Sequence, residues 1–443
     1  MIGALLASCS DSEEIQLTRD MRYRASASAV QRELSALLSA RRDAAAAFIG
    51  GLSLDEKLSQ LFLINLENAA EFAPAETDAA GNPHIPGGFL FFSYNIADTP
   101  EQIISFTSDI INTSVSAGRV PPLLVIDHEG GDVNRLRGVV SALPAPQRIA
   151  ESVLRDDAER YYANQGEQLA ALGFHLNLAP VAETLHAKNI AFLGSRGYGD
   201  TDTVMQYAGA CIRGYGRAGV GTALKHFPGN TNTDPHTGLP ELCVESETLE
   251  REYLYPFYML SQYNPMAVLM SHVRVAGFDG ETPACLSSYW ITDVLRNSFG
   301  YNGLVISDDI LMSALAENGF PPEEAVLAAL SAGIDMIMLS EKRYTQFLAL
   351  IKERIARDPQ FAQRIDDAAE RIIQAKIDCG LLELQPTAEA HPAVDAAAKT
   401  AAPAYQVSLP KPLSAADISA RVSRFAAAKA RGDSLYAQLW GEP

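Results

Sequence analysis

From about residue 58 onwards, apolar and polar positions alternate in blocks. Eight short, nearly continuous apolar runs recur: LFLINL (61–66), GGFLFF (87–92), PLLVIDHE (122–129), FHLNLAPV (174–181), VGTALKHF (220–227), MAVLMSHV (266–273), GLVISDD (303–309) and IDMIMLS (334–340). A strand that is apolar at successive positions has both faces covered, as in a parallel sheet flanked by helices. Between the runs lie stretches with helical spacing, such as EQIISFTSDIINTSVSAG, DAERYYANQGEQLAALG and PEEAVLAALSAG. Several end in glycine just before the next run, at Gly118, Gly173, Gly219 and Gly333, where a left-handed C-cap turns the chain back. Eight strands alternating with helices is the number that closes a barrel, so the expected fold is α/β, a single (β/α)8 TIM-like barrel. The rival is an open doubly wound sheet, but its glycine-rich phosphate fingerprint is missing after the first strand.

The flanks read differently. Residues 1–20 form a polar tether behind a short apolar start, and 21–51 a helical segment containing SAVQRELSALLSARRDAAAAFI. The barrel is expected over 52–384, closed by helices that break near Asp358-Pro359. Residues 385–443 comprise an Ala/Pro-rich linker (385–402) and a last amphipathic helix around 414–440, too short for a second α/β domain.

Charge and cysteine usage narrow the function. The chain carries 54 Asp+Glu against 35 Lys+Arg, a net charge of -19, which repels phosphate backbones and argues against nucleic-acid partners. The five cysteines, at 9, 211, 243, 285 and 379, show neither a CxxC pair nor a histidine spacing that builds a zinc site. Four read as buried small hydrophobes. Cys9 differs, because LAS precedes it and the polar SDSEE follows. That pattern resembles a bacterial lipoprotein signal without its basic n-region, and a lipid on Cys9 would attach the chain to a membrane in the cell envelope. The alternative is an ordinary cytoplasmic chain with a frayed apolar N-terminus.

Barrel enzymes place their sites at the C-terminal ends of the strands. Here those ends supply Asp127 and Glu129 after the third strand, Lys225 and His226 after the fifth, His272 after the sixth, and Asp308 with Asp309 after the seventh. Unpaired buried charge costs several kcal/mol, so such a gathering indicates catalysis or ligand binding. Two aspartates after the seventh strand are unsuited to a phosphate site and suited to an uncharged, hydroxyl-rich ligand such as a sugar, whose oxocarbenium-like carbon a carboxylate can attack or stabilise. Asp308, His272 and His226 could ligate a divalent ion, but Lys225 beside His226 opposes a cation; no metal and no cofactor is expected.

KHFPG (225–229), the Asp-x-His at 234–236, VISDDILM (305–312), IDHEGG (126–131), NLAPVAE (177–183) and LGSRGYG (193–199) resemble, in order and spacing, bacterial β-N-acetylglucosaminidases of glycoside hydrolase family 3. The likeness runs from about 52 to 380. It implies Asp308 as nucleophile and His236, oriented by Asp234, as general acid/base on the loop after the fifth strand. Asp309, on the opposite face of the strand, would be a supporting or helix-capping carboxylate. Asp127, Arg135, Arg196, Lys225 and His226 would hold the sugar. His272 also matches a position near the pocket, with a structural hydrogen-bonding role equally open.

The implied activity is a retaining exo-β-N-acetylglucosaminidase that forms a covalent glycosyl-aspartate and acts on GlcNAc-containing peptidoglycan fragments (muropeptides) or chitin-type oligosaccharides. Attack by the substrate's own acetamido group is the competing mechanism. An N-acetyl-β-glucosaminide phosphorylase, a β-glucosidase and a non-catalytic sugar-binding lipoprotein are the alternative functions, and the oligomeric state stays open. The chain departs from the family pattern at Asn230-Thr231, where His-Gly is usual, and at Asp132 for Arg, His128 for Gln and Glu183 for Asp. Asp132 would disfavour an anionic aglycone.

Overall fold

The computed structural model describes residues 36–78, 80–234, 238–279, 282–387 and 405–441. The described residues fall into two compact units, one drawn from positions 1–50 and 384–408 and the other from positions 51–383 and 409–443. In the smaller, residues 36–50 are helical. Strand Glu383–Pro386 pairs with Tyr405–Ser408, so Gln385 and Pro386 end a strand where composition suggests linker.

The larger unit is a barrel of eight parallel strands: β1 (Phe62–Ile64), β2 (Gly88–Phe91), β3 (Leu123–Ile126), β4 (Leu176–Asn177), β5 (Gly221–Phe227), β6 (Ala267–Met270), β7 (Leu304–Ile306) and β8 (Ile337–Leu339). Each lies inside one of the eight apolar runs. The order is β7-β6-β5-β4-β3-β2-β1-β8, with Phe62 opposite Ile337 and Gly88 opposite Leu123. A bridge between Ile306 and Met336 closes the circle, and the Asp335 and Met336 amides both donate to the Val305 carbonyl at 2.8 and 3.2 Å. Asp335 lies at this seam, its carboxylate accepting from the Val305 amide (2.9 Å), Arg296 (2.5 Å), Arg364 (2.8 Å) and Arg371 (3.1 Å).

Helices surround the sheet: α1 (Leu54–Ser59), α2 (Pro100–Ser116), α3 (Arg155–Leu172), α4 (Thr201–Arg217), α5 (Tyr255–Ser261), α6 (Tyr289–Ser298), α7 (Pro322–Ala332), α8 (Thr345–Arg357), α9 (Pro359–Asp378) and α10 (Ala415–Trp440). Their ends follow local chemistry. Ser53 with Glu56 and Thr99 with Gln102 form capping boxes, and Asp358 starts α9 by accepting from the Gln360 and Phe361 amides. Gly118, Gly173, Gly219 and Gly333 all have positive φ. Only the β1–β2 connection lacks a helix among its described residues; it is an irregular loop pinned by a Thr77–Pro83 bridge.

Helix α10 packs on α3. Phe425, Ala428 and Gly432 form its buried stripe, Asn164 donates to the Ala428 carbonyl (2.8 Å), and the Tyr161 and Trp440 rings meet edge to face at 5.1 Å. Gly432 is required by proximity: a Cβ there would meet Asn164 Oδ1 and Ser141 Oγ at 2.3 Å. No helix among the described residues is long and apolar enough to cross a membrane. Cys211 and Cys285 are buried as expected and Cys379 is partly buried, but Cys243 is exposed. The reason is parity: strand Glu241–Leu242 buries Leu242 and turns its two neighbours outward.

Candidate active site

The strand tips converge on a layered charge network. Beyond β3 the chain stays extended into a small hairpin of His128–Gly130 against Val133–Asn134. The Asn177 side chain on β4 holds its start, donating to the His128 carbonyl (2.9 Å) and accepting from the His128 amide (3.0 Å). Alternation puts Asp127 and Glu129 on one face and His128 on the other.

Lys225, at the end of β5, inserts between the two carboxylates. Its Nζ lies 2.6 Å from Asp127 Oδ1 and 2.5 Å from Glu129 Oε1. Arg196 grips Glu129 from the other side with two bonds, Nε to Oε2 (2.9 Å) and Nη2 to Oε1 (2.8 Å), the geometry that gives guanidinium–carboxylate pairs their strength. Burial pushes the Glu129 carboxyl up, but Lys225 and Arg196 outweigh it and hold the group at about 2. The Glu129 and Lys225 side chains are sealed, at 1% and 2% exposure, whereas Asp127 is 21% exposed. Arg135 completes the upper layer, with Nη2 3.6 Å from Asp127 Oδ2. The sequence-predicted Asp127, Arg135, Arg196 and Lys225 are thus brought together, and Glu129, absent from the expected sugar-holding set, is the group that ties Arg196 to Lys225 from below. Its position two residues after Asp127 was the available signal.

A second cluster adjoins it. His226 Nδ1 donates to Glu183 Oε1 at 2.8 Å, fixing the tautomer. Glu183 also accepts from the Asn230 amide (2.6 Å) and the Asn230 side chain (3.0 Å). Burial raises the Glu183 carboxyl, but the bonds from His226 and Asn230 hold it below the usual range. Two departures from the family pattern, Glu183 and Asn230, therefore form one contact. The Lys225–His226 and Phe227–Pro228 peptides are both cis.

The loop after β5 is anchored at its root. Asn232 donates to the Ala187 carbonyl (2.8 Å) and accepts from the Ala191 amide (2.9 Å). Asp234 is exposed, and its carbonyl accepts from the Gly238 amide (3.1 Å). His236 and Cys9 lie outside the described residues.

Asp308 follows Ser307 at the tip of β7 and is half-buried. Its Oδ1 accepts from the Asp309 amide at 2.9 Å; Oδ2 has no hydrogen-bond partner among the described residues. Asp309 does not cap the helix Ser313–Glu317, whose cap is Met312. It braces the rim instead, with Oδ1 accepting from the Leu311 and Ser340 amides at 3.0 Å each. His272 corrects another expectation. It is fully buried, with Nε2 donating to the Asp309 carbonyl (3.1 Å) and Nδ1 facing the Cys285 thiol (3.1 Å). Both ring nitrogens are engaged by protein, so His272 positions the segment that carries Asp308 and has no edge left for a sugar. Burial lowers its pKa, which keeps the ring neutral.

His128 faces the helices. The ring is wholly buried and neither nitrogen makes a hydrogen bond of normal geometry, and burial lowers its pKa from 6.5 to about 4. Between those values the unfolded chain binds a proton that the folded one refuses, so stability falls as pH drops from 6.5 to 4, by about 1.4 kcal/mol per pH unit. His128→Gln is expected to flatten the dependence of urea-unfolding free energy on pH across that window by this amount, with catalytic activity at pH 7 retained. An unchanged slope would show that the ring is protonated in the fold.

The sequence profile of the glycosyl hydrolase family 3 N-terminal domain matches residues 53–375. The β-hexosaminidase LpqI of Mycobacterium tuberculosis is 32% identical over 299 residues, covering 65% of this chain and 73% of the relative. The β-hexosaminidase of Alkalilimnicola ehrlichii is 35% identical over 263 residues, covering 57% and 73%. Among solved structures, M. tuberculosis LpqI superposes with a TM-score of 0.66 at 28% identity over 75% of this chain and 96% of its own. A family 3 β-N-acetylglucosaminidase from a Paenibacillus strain gives 0.67 at 28% identity over 86% and 69%. The matched profile covers the whole barrel and every strand tip that carries the charge network: this chain belongs to glycosyl hydrolase family 3 and is a glycoside hydrolase.

Proposed function

We propose that the protein is an exo-acting β-N-acetylglucosaminidase that removes terminal β-linked GlcNAc from chitin-type oligosaccharides or peptidoglycan fragments with retention of configuration. The observation that carries this reading is the division of labour at the strand tips. Asp308 presents at the tip of β7 a carboxylate oxygen, Oδ2, without a hydrogen-bond partner among the described residues, while Asp127, Lys225, Arg196 and Arg135 are tied into a network whose polar edges suit hydroxyls and an acetamide.

In the first step Asp308 Oδ2 attacks the anomeric carbon as His236, oriented by Asp234, gives its proton to the departing aglycone oxygen. In the second, His236 takes a proton from water, which attacks the glycosyl ester and frees the carboxylate. The test is to follow 4-nitrophenyl N-acetyl-β-glucosaminide by proton NMR: β-GlcNAc should appear before mutarotation, in phosphate and in zwitterionic buffer alike. First appearance of the α anomer, or of GlcNAc 1-phosphate, overturns the reading. His236→Ala should cost about tenfold on the activated nitrophenyl substrate and about a thousandfold on chitobiose, because a good leaving group needs less protonation. Equal losses on both would remove His236 from the acid role.

A further inference from the structure

The connection from β4 to α4 runs over residues 178–200 and carries two groups of the site, Glu183 near its start and Arg196 near its end. Between them the chain makes a turn held by the buried Asn189, whose Nδ2 donates to the Thr184 carbonyl (2.9 Å) and whose Oδ1 accepts from the His186 amide (3.0 Å). The Asn189 and Ile190 amides both close back on the His186 carbonyl at 3.0 Å. Residues 184–190 are therefore a compact knot with its own internal bonds, and backbone groups fixed in this way can position whatever is attached to them.

What is attached is the loop after β5. On its outgoing stem Asn232 spans the knot, donating to the Ala187 carbonyl (2.8 Å) and accepting from the Ala191 amide (2.9 Å). On its returning stem the Cys243 carbonyl accepts from Lys188 Nζ (2.5 Å). Asp234 stands two residues beyond Asn232 in the chain and His236 four. Asn232 is itself exposed. An exposed amide contributes little to stability, since water satisfies the same groups, but two bonds from one planar amide set a direction where a single bond would leave a swivel. The connection that carries the sugar-holding Arg196 thus also sets where the loop leaves the barrel.

We propose that Asn232 is the positioning residue of the acid/base loop, registering Asp234 and His236 against the sugar held by the Arg196 network. This rests on the acid/base reading of that loop. The experiment compares kcat/KM of wild type, Asn232→Ala, His236→Ala and the double variant on chitobiose and on 4-nitrophenyl N-acetyl-β-glucosaminide, with melting temperatures measured alongside. Chitobiose needs protonation of its leaving oxygen and the nitrophenyl substrate needs much less. A misplaced proton donor therefore shows as a loss on the first that is largely absent on the second.

Asn232→Ala should lose about thirtyfold on chitobiose and no more than about threefold on the nitrophenyl substrate, with a melting temperature within about 2 °C of wild type. In the His236→Ala background the same substitution should change chitobiose cleavage by less than about twofold, because a donor already removed cannot be misplaced. A merely structural role would instead lower both substrates alike and add in full to the loss from His236→Ala. Either of those results, or no loss on chitobiose, overturns the proposal alone. If His236→Ala itself loses equally on both substrates, the acid/base reading falls and the proposal with it.

Discussion

Asp308→Asn lowers kcat on 4-nitrophenyl N-acetyl-β-glucosaminide by at least about 10⁴-fold, because an amide cannot form the glycosyl ester that divides one difficult displacement into two easier ones. The fold should survive. Asp308 is half-buried and makes one hydrogen bond, through Oδ1 to the Asp309 amide, which the asparagine oxygen can keep. Its melting temperature is therefore expected within about 2 °C of wild type, well inside the range of a neutral surface change. Asp308→Gly with added azide ion extends the test. The small anion should enter from the side the carboxylate has vacated and yield the α-glycosyl azide, the inverted product. If Asp308→Asn instead keeps activity within about tenfold, the first displacement belongs to the substrate's acetamido group and Asp308 acts electrostatically.

The barrel was legible because parallel strands are covered on both faces, which writes each as an unbroken apolar run that needs no knowledge of its partners. The glycine C-caps and the Asp358-Pro359 break were equally local. The strand-tip charges were legible for the opposite reason: a carboxylate at the end of an apolar run is locally out of place.

Who pairs with whom was not legible, since those contacts join residues far apart in the chain. Lys225 meets Asp127 across 98 positions and Arg196 meets Glu129 across 67. Glu183 and Asn230, 47 apart, look like unrelated departures from a family pattern until the fold sets one against the other. His272 could not be separated from the sugar-binding residues in sequence, because a strand-tip position does not reveal that the ring is covered on both nitrogens. Cys243 was misplaced because a two-residue strand is too short to show its alternation.

Glu129→Gln tests whether the sealed layer sustains the open one. The substitution keeps the side chain's size but removes the negative charge between Lys225 and Arg196, leaving three cations, with Arg135, around Asp127 alone. Breaking a buried pair costs about 3–5 kcal/mol, most of it the desolvation of the partner left behind. Linkage gives a similar size independently: a carboxyl moved from 4.5 to about 2 contributes about 3 kcal/mol. That stabilisation is fully present above pH 4.5 and is lost as pH falls towards 2, because the folded state then resists a proton that the unfolded chain accepts. Urea unfolding at pH 7 should therefore show Glu129→Gln less stable by about 3 kcal/mol, with the difference shrinking as pH falls from 4.5 towards 2. Activity should fall by about a hundredfold in kcat/KM, since Arg196 loses its bidentate partner and Lys225 is drawn wholly to Asp127. The double variant Glu129→Gln with Lys225→Met separates the two effects: stability should recover in part as the orphaned charge goes, while activity should not. If Glu129→Gln alone leaves both stability and kcat/KM at wild-type values, the buried carboxylate is not what holds Lys225 and Arg196 in place, and the open layer is set by the strand tips themselves.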